Sequence, residues 1–511
     1  MSRLRRYLAA ALLLALAAAC AGPLGSVLTD QQLAPAPTLA VAQPLEATVA
    51  EAVAATTATA LPETTAAAAT ATLAPLPLAA HVPLAVWDNN GEHLSLLPID
   101  PRTGAVFEAA ALTDLGSSYL AAYAPDGRTL ALLIFEAQAV TGAIRFVDLT
   151  DWTISAPRIA LVSYPSAMLF TPDGHSLLVA GASAPDLDPE AVANGTATEG
   201  DPGLNELVRY AVATGAEQAR ASLPFAPRSV SLAPDGQSVL VYGAQAERDD
   251  GLNPAVSVAQ LDLATLTVQW QQALPAVRDG QYAAPEEIGA QELWATGQWY
   301  SPAVVWSPSA PVLYVIHAGD DALTTVDFAA QTVTTVPVAP AQSWLDRLMA
   351  ATAGVAEAKM LNGTTMQAVL SPDGQRLYAL GFRVETVKEY TETPLGLRVI
   401  DVATGALLDT VETGTRNLTL GADPAGAPVL VLEGWHDRYW SEVRALADPH
   451  TVLGEFRYVG LLTGRTPDGA RVWLAREDRA QRTVFHVIDP ATWTDLGQWP
   501  AAGFAQPLLL P

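Results

Sequence analysis

Two turn signatures alternate without interruption between residues 99 and 493, and that alternation restricts the fold more than any other feature. The first is a proline–aspartate–glycine turn: APDG at 124–127, TPDG at 171–174, APDG at 233–236, SPDG at 371–374 and TPDG at 466–469. SPSA at 307–310 and DPAG at 423–426 are degraded copies in the intervening places. Apolar stretches such as LLVAG (177–181), VLVYG (239–243), LYVI (313–316) and LYAL (377–380) follow them. Proline presets φ, aspartate accepts local backbone N–H groups and glycine takes positive φ, so each copy predicts a tight turn between two strands. The second signature closes a later strand: IDPRTG (99–104), VDLTDW (147–152), LDLATL (261–266), VDFAAQ (326–331), IDVATG (400–405) and IDPATW (488–493). AVATG (211–215) and LADPHT (446–451) are weaker copies.

Each pair of signatures defines four strands. Strand A precedes the PDG turn, B follows it, C ends at the aspartate, and D follows the second turn. Four-stranded antiparallel units repeated around an axis make a β-propeller, so the expected class is all-β. Eight aspartate-type turns face only seven PDG-type turns. The first unit therefore has B, C and D but lacks A, while the chain ends in GFAQPLLLP (503–511), which reads as an A strand. The tail is expected to complete the first blade in a 1+3 closure, giving eight blades, with seven if one eroded unit is not a blade. An open ring would leave two unpaired edges.

Blade 371–405, SPDGQRLYAL followed by LRVIDVATG, resembles the YVTN propeller repeats and the related WD40-like PD40 repeats. The resemblance implies a propeller on an exported protein and brings no shared activity.

The N-terminus specifies export. Arg3, Arg5 and Arg6 precede an apolar run from Tyr7 to Ala19, the pattern of a secretory signal. Cys20 is the only cysteine, and Leu16-Ala17-Ala18-Ala19 before it resembles the lipobox of bacterial lipoproteins with leucine one place early. Residues 1–20 are thus expected to be a signal peptide ending at a lipidated Cys20, which places the protein in the cell envelope, or secreted if the cysteine is not modified. Arg5-Arg6 leaves the choice between general and twin-arginine export open. Residues 21–80 are rich in Ala, Thr, Pro and Leu, with no basic residue, and read as a disordered tether of about 45 Å root-mean-square span. Residues 81–511 are the expected propeller.

Charge removes one class of function. The chain carries 53 acidic and 27 basic residues, and loss of the three N-terminal arginines makes the imbalance larger. Such a surface repels nucleic acid. The membrane is expected to be met through the lipid anchor only, by a monomer.

Strand alternation puts A–B and C–D turns on one face and B–C and D–A connections on the other. All five long insertions fall on the second face, at 181–206, 243–257, 275–300, 338–364 and 383–396. They are acidic, which suits solvated loops, and they carry aromatics. GWHDRYW (434–440) brings together Trp435, His436, Arg438, Tyr439 and Trp440; Trp294, Trp299 and Trp344 lie in two other insertions. Trp, Tyr and Arg anchor interfaces and stack on sugars, so these eight residues are the candidate ligand-binding set for a protein, peptide or glycan.

Chemistry is poorly supported. The seven histidines are scattered without zinc-ligand spacing, and His317 beside Asp320 and Asp321 is at most half of a metal site. There is no GxSxG elbow and no DxDxDG loop. Asp262, Thr265 and Trp270 resemble the tryptophan-docking repeat of quinoprotein dehydrogenases, with Leu266 in place of its glycine. A propeller enzyme of quinoprotein or lactonase type is the alternative. The expectation is a non-catalytic scaffold with no cofactor and no metal.

Overall fold

A computed structural model describes residues 77–87, 93–135, 142–161, 164–182, 205–245, 253–282, 298–338, 362–386, 390–423, 425–435, 439–457, 459–466, 471–479 and 482–509. The expected signal, Cys20 and the tether as far as residue 76 lie outside them. The first described element is a 3-10 turn at Leu78–Ala80, which buries Ala80.

Eight antiparallel sheets stand in sequence around a ring. Blade 2 runs in order from Ser117–Tyr123 at the inside to Thr153–Ala160 at the outside, and blades 3 to 8 repeat that order. In blade 1 the inner strand is the chain's last, Phe504–Pro507, antiparallel to Val82–Trp87 with Ala85 opposite Gln506. The 1+3 closure holds. Its outer strand is irregular, meeting Leu94–Ile99 at isolated bridges, Leu96 to Leu112 and Ile99 to Val106, and through backbone bonds such as that from Leu94 to Gly116.

The ring closes because its core is shared between neighbours. Strand B is buried on both faces, as Thr129–Phe135 illustrates: Leu130, Leu132 and Ile134 pack toward blade 1, Ala131 and Leu133 toward blade 3. Eight apolar clusters result, one at every junction, and the last joins Trp499 and Phe485 of blade 8 to Val82, Leu84 and Ile99 of blade 1. Polar bonds follow the same path. Ser166 of blade 3 donates to the Pro227 carbonyl of blade 4 at 2.7 Å, and the Trp306 indole of blade 5 donates to Ser229 at 2.8 Å.

The turns explain the repeat. In the second signature the aspartate carboxylate accepts N–H or hydroxyl bonds from residues two or three places on, as Asp401 does from Thr404 at 2.9 and 2.6 Å. In seven of the eight copies the last residue then takes left-handed backbone whatever its type: Gly104, Trp152, Gly215, Leu266, Gln331, Gly405 and Trp493 have φ between 53° and 70°. Its side chain points at the preceding blade, which settles its size. Gly104 lies under Trp499 and Gly405 against Val336, whereas Trp493 covers Gly454 and meets Trp473 edge-on at 5.0 Å.

Two insertions are built differently from the expected loops. Residues 383–396 are largely a hairpin: strands Arg376–Thr386 and Tyr390–Asp401 of blade 6 stay paired up to Thr386 opposite Tyr390. The insertion 275–300 supplies two short strands, Gly280–Tyr282 and Gln298–Ser301. The second pairs in parallel with the inner strand of blade 6, Asn362–Leu370, so this sheet has six strands.

Candidate functional site

The two extra strands form a ribbon that leaves blade 4, crosses the loop-rich end of blade 5 and joins blade 6. Rows of residues opposite one another share a face of a sheet. One row here is Gln281, Trp299, Gly363, Val384 and Glu392; the next is Gly280, Tyr300, Thr364, Arg383 and Thr393. The second row faces blade 5, where Tyr300 is buried against Gly319. The first row therefore faces blade 7, and its half-buried Trp299 and Val384 flank Gly363. A Cβ on Gly363 would sit 3.7 Å from the Trp299 Cβ and 4.0 Å from that of Val384, in ordinary contact.

A buried ion pair holds the root of the ribbon. Arg228, on the inner strand of blade 4 (Ala226–Leu232), bonds the carboxylate of Asp279, which also accepts the Tyr242 hydroxyl at 2.9 Å. Burial pushes the Asp279 carboxyl up against the opposing pull of Arg228 and Tyr242. Burial, with the charge of Asp279, pushes the Tyr242 phenol well above its usual range. Tyr282 adds a bond of 2.6 Å to the Pro254 carbonyl. Arg278 lies 5.4 Å from the Tyr300 ring and 5.9 Å from that of Tyr282.

The projecting hairpin of blade 6 is held from the other side. Arg416, on the inner strand of blade 7 (Thr415–Ala422), bonds Glu392 and sits 5.8 Å from the Phe382 ring centre. Beside it Trp440 lies across two glycines; a Cβ on Gly434 would come within 3.0 Å of its indole nitrogen, and one on Gly414 within 3.9 Å of its ring. The indole is half-buried.

A polar chain continues from blade 6 to blade 8 along the inner strands. Gln367 accepts the Leu418 N–H at 2.9 Å and donates to Asn417 at 3.2 Å. Glu433 accepts the Leu461 N–H at 2.8 Å. Burial pushes the Glu433 carboxyl up, opposed by that bond, Asn417 and Arg476.

Of the eight aromatic and basic candidates, Trp299 lies in the ribbon and Trp440 on the blade 7 hairpin. Trp435 and Tyr439 are opposite each other at the last described pair of that hairpin. His436, Arg438, Trp294 and Trp344 lie outside the described residues. His317 is core: its Nε2 is 2.7 Å from the Thr324 hydroxyl, itself 2.8 Å from Thr335, and burial lowers its pKa against the pull of Asp320. Among the described residues no group of three or more His, Cys, Asp or Glu side chains is placed to hold a metal. The quinoprotein-like trio is structural. Asp262 caps its turn through Thr265 at 2.8 Å, Leu266 fills the junction with blade 3, and Trp270 packs edge-on to Phe328 at 5.5 Å.

Sequence reasoning missed Arg228, Glu392, Arg416 and Gly363. A signal for the two arginines exists: each directly follows a residue that faces a glycine near the end of strand B, Gly243 or Gly434.

An eight-bladed β-propeller with a built-up loop face is the class these features define. No family model matches the chain, and no curated protein matches it. Among solved structures it is similar to the dihydro-heme d1 dehydrogenase NirN in complex with DHE: 11% identity, TM-score 0.51, 85% of this chain and 76% of that one covered. BamB from Moraxella catarrhalis has 11% identity and a TM-score of 0.39 over 82% of this chain and 96% of its own. Hydrazine synthase from Kuenenia stuttgartiensis has 14% identity and a TM-score of 0.37 over 83% and 99%. The likeness to NirN is one of fold alone.

Proposed function

We propose that the chain is an exported, lipid-anchored propeller that captures a protein, peptide or glycan on its loop-rich face without chemistry. One observation carries this reading. On a ring whose opposite face carries tight turns among the described residues, two insertions are folded into paired strands and tied down by Arg228–Asp279 and Arg416–Glu392. Ordering a connection costs conformational entropy, and buried or half-buried ion pairs add desolvation, so solvated spacers gain nothing from such construction. The ties leave Trp299 and Trp440 on fixed supports, and aromatic rings held in place suit an anchor for a partner side chain or a sugar face. Cys20 and the apolar run before it support attachment to the envelope membrane, and the repeat at 371–405 keeps the YVTN-like kinship in this reading.

The test uses the full chain to capture partners from envelope extract of its own organism, beside a Trp299→Ala, Trp440→Ala double variant. A partner held by the native chain and lost by a double variant with unchanged thermal unfolding supports the site. Equal recovery by both rejects it.

A further inference from the structure

The inner strands of blades 2, 3, 4, 7 and 8 each carry one extra residue near their start, where pairing with strand B slips by one; in blades 3, 4, 7 and 8 it is Ser166, Arg228, Arg416 and Gly460. In three of them the residue just before the bulge faces a glycine of strand B, Gly181, Gly243 or Gly434. A bulge re-aims the side chain it contains. At this place on the ring the freed side chain sits at the loop-rich end of an inner strand, where connections leave and arrive.

In two of these bulges the occupant is an arginine paired with a carboxylate of an insertion. Ser166 donates to two backbone carbonyls, Pro227 of the next inner strand at 2.7 Å and Ala180 of its own strand B at 3.2 Å, and Gly460 has no side chain. Arg228 and Arg416 reach outward to carboxylates on insertions, Asp279 at the root of the ribbon and Glu392 on the projecting hairpin. Arginine suits the task because its planar fork is long, permanently charged and matched to a carboxylate.

We propose that the inner-strand bulge is the position that fixes where insertions stand on this propeller, and that Arg228 and Arg416 are the positioning residues of its loop-face binding surface. The proposal rests on the reading that this face is where the partner binds. The ribbon and the hairpin belong to one sheet, so the two arginines hold it from both sides: Arg228 from blade 4, Arg416 from blade 7. Trp299 owes its place to both.

Arg416 is the better residue to test, since its side chain is 28% exposed and its loss leaves the ring core untouched. Amide hydrogen exchange is followed on the full chain for the native protein, Arg416→Gln, and the charge-swapped pair Arg416→Glu with Glu392→Arg. The expected result is exchange in 382–394 faster by about tenfold in Arg416→Gln, unchanged exchange in blades 1 to 4, and recovery toward native rates in the swap. Native exchange in Arg416→Gln overturns the positioning role. Capture from envelope extract by the same variants separates the two ideas. Faster exchange with undiminished capture leaves the tie standing and removes the hairpin from the binding surface, whereas faster exchange with lost capture, both restored by the swap, supports the whole.

Discussion

Arg228 and Arg416 occupy the same bulge of their inner strands, three blades apart, and each bonds a carboxylate from an insertion rather than from the ring. The repeat thus supplies more than scaffolding. A local irregularity that recurs with it has become the point where non-repeating segments are attached.

Asp279 is the more deeply buried of the two carboxylates. Its removal takes away the one carboxylate that both the Arg228 guanidinium and the Tyr242 hydroxyl donate to. Asp279→Ala should cost about 2–4 kcal/mol in a urea titration, the scale for breaking a buried pair discounted for the partial exposure of Arg228. A loss under about 0.5 kcal/mol would mean that water replaces the carboxylate freely.

Closure makes a sharper demand. Leu508 donates its N–H to Pro83 at 2.8 Å and accepts the Tyr123 hydroxyl at 2.6 Å, so the tail ties blade 1 to blade 2 as well as filling it. Truncation after Ala502 strips the inner strand from Val82–Trp87 and opens an apolar edge. The expected outcome is a loss of roughly 3 kcal/mol or more, with self-association on size exclusion. A truncated chain that stays monomeric with the native urea midpoint would contradict the closed ring.

The left-handed positions of the second signature yield opposite signs. Gln331 is exposed with φ 54°, so Gln331→Gly removes strain without removing packing and should stabilise by about 0.5–1 kcal/mol. Leu266 has φ 55° but is buried between blades 3 and 4. Leu266→Gly relieves the same strain and vacates the junction, for a net loss of about 2 kcal/mol. Paired thermal melts decide the matter, and a common sign for the two substitutions refutes the packing argument.

Those same turns show what the sequence could reveal. Asp401 with Thr404, or Asp489 with Thr492, act within four residues, so their chemistry is legible in the residues themselves, and counting them gives the blades and the closure. The built-up face is legible only as an address. Arg416 and Glu392 meet from different blades, and Trp299 pairs with Gly363 across an insertion of its own, contacts that no local pattern records. Residues 383–396 read as an insertion because they separate the B and C strands of their blade by more than a tight turn needs. In the fold, Gly396 takes positive φ within the strand, beside the slip in pairing between Leu380 and Phe382, and the ladder resumes at Pro394.

Acid should act on the turns and on the interior with opposite signs. Bonds from Thr171, Thr265, Ser371, Thr404, Thr451 and Ala491 hold Asp173, Asp262, Asp373, Asp401, Asp448 and Asp489 below the usual carboxylate range. Their contribution is complete above the unfolded value of about 3.9 and is lost as pH falls through the lower folded values. Glu433 is the reverse case, raised by burial. Its contribution is complete below the unfolded value of about 4.3 and is lost as pH rises through the raised folded value. Glu433→Gln keeps an oxygen for the Leu461 N–H and abolishes the titration. Between the usual glutamate range and neutrality the variant should therefore lose less stability with rising pH than the native chain, while both share the same decline in strong acid. Urea midpoints taken from pH 3 to pH 8 give the comparison directly; parallel curves above pH 4 would show that Glu433 ionises in the fold as readily as in the open chain.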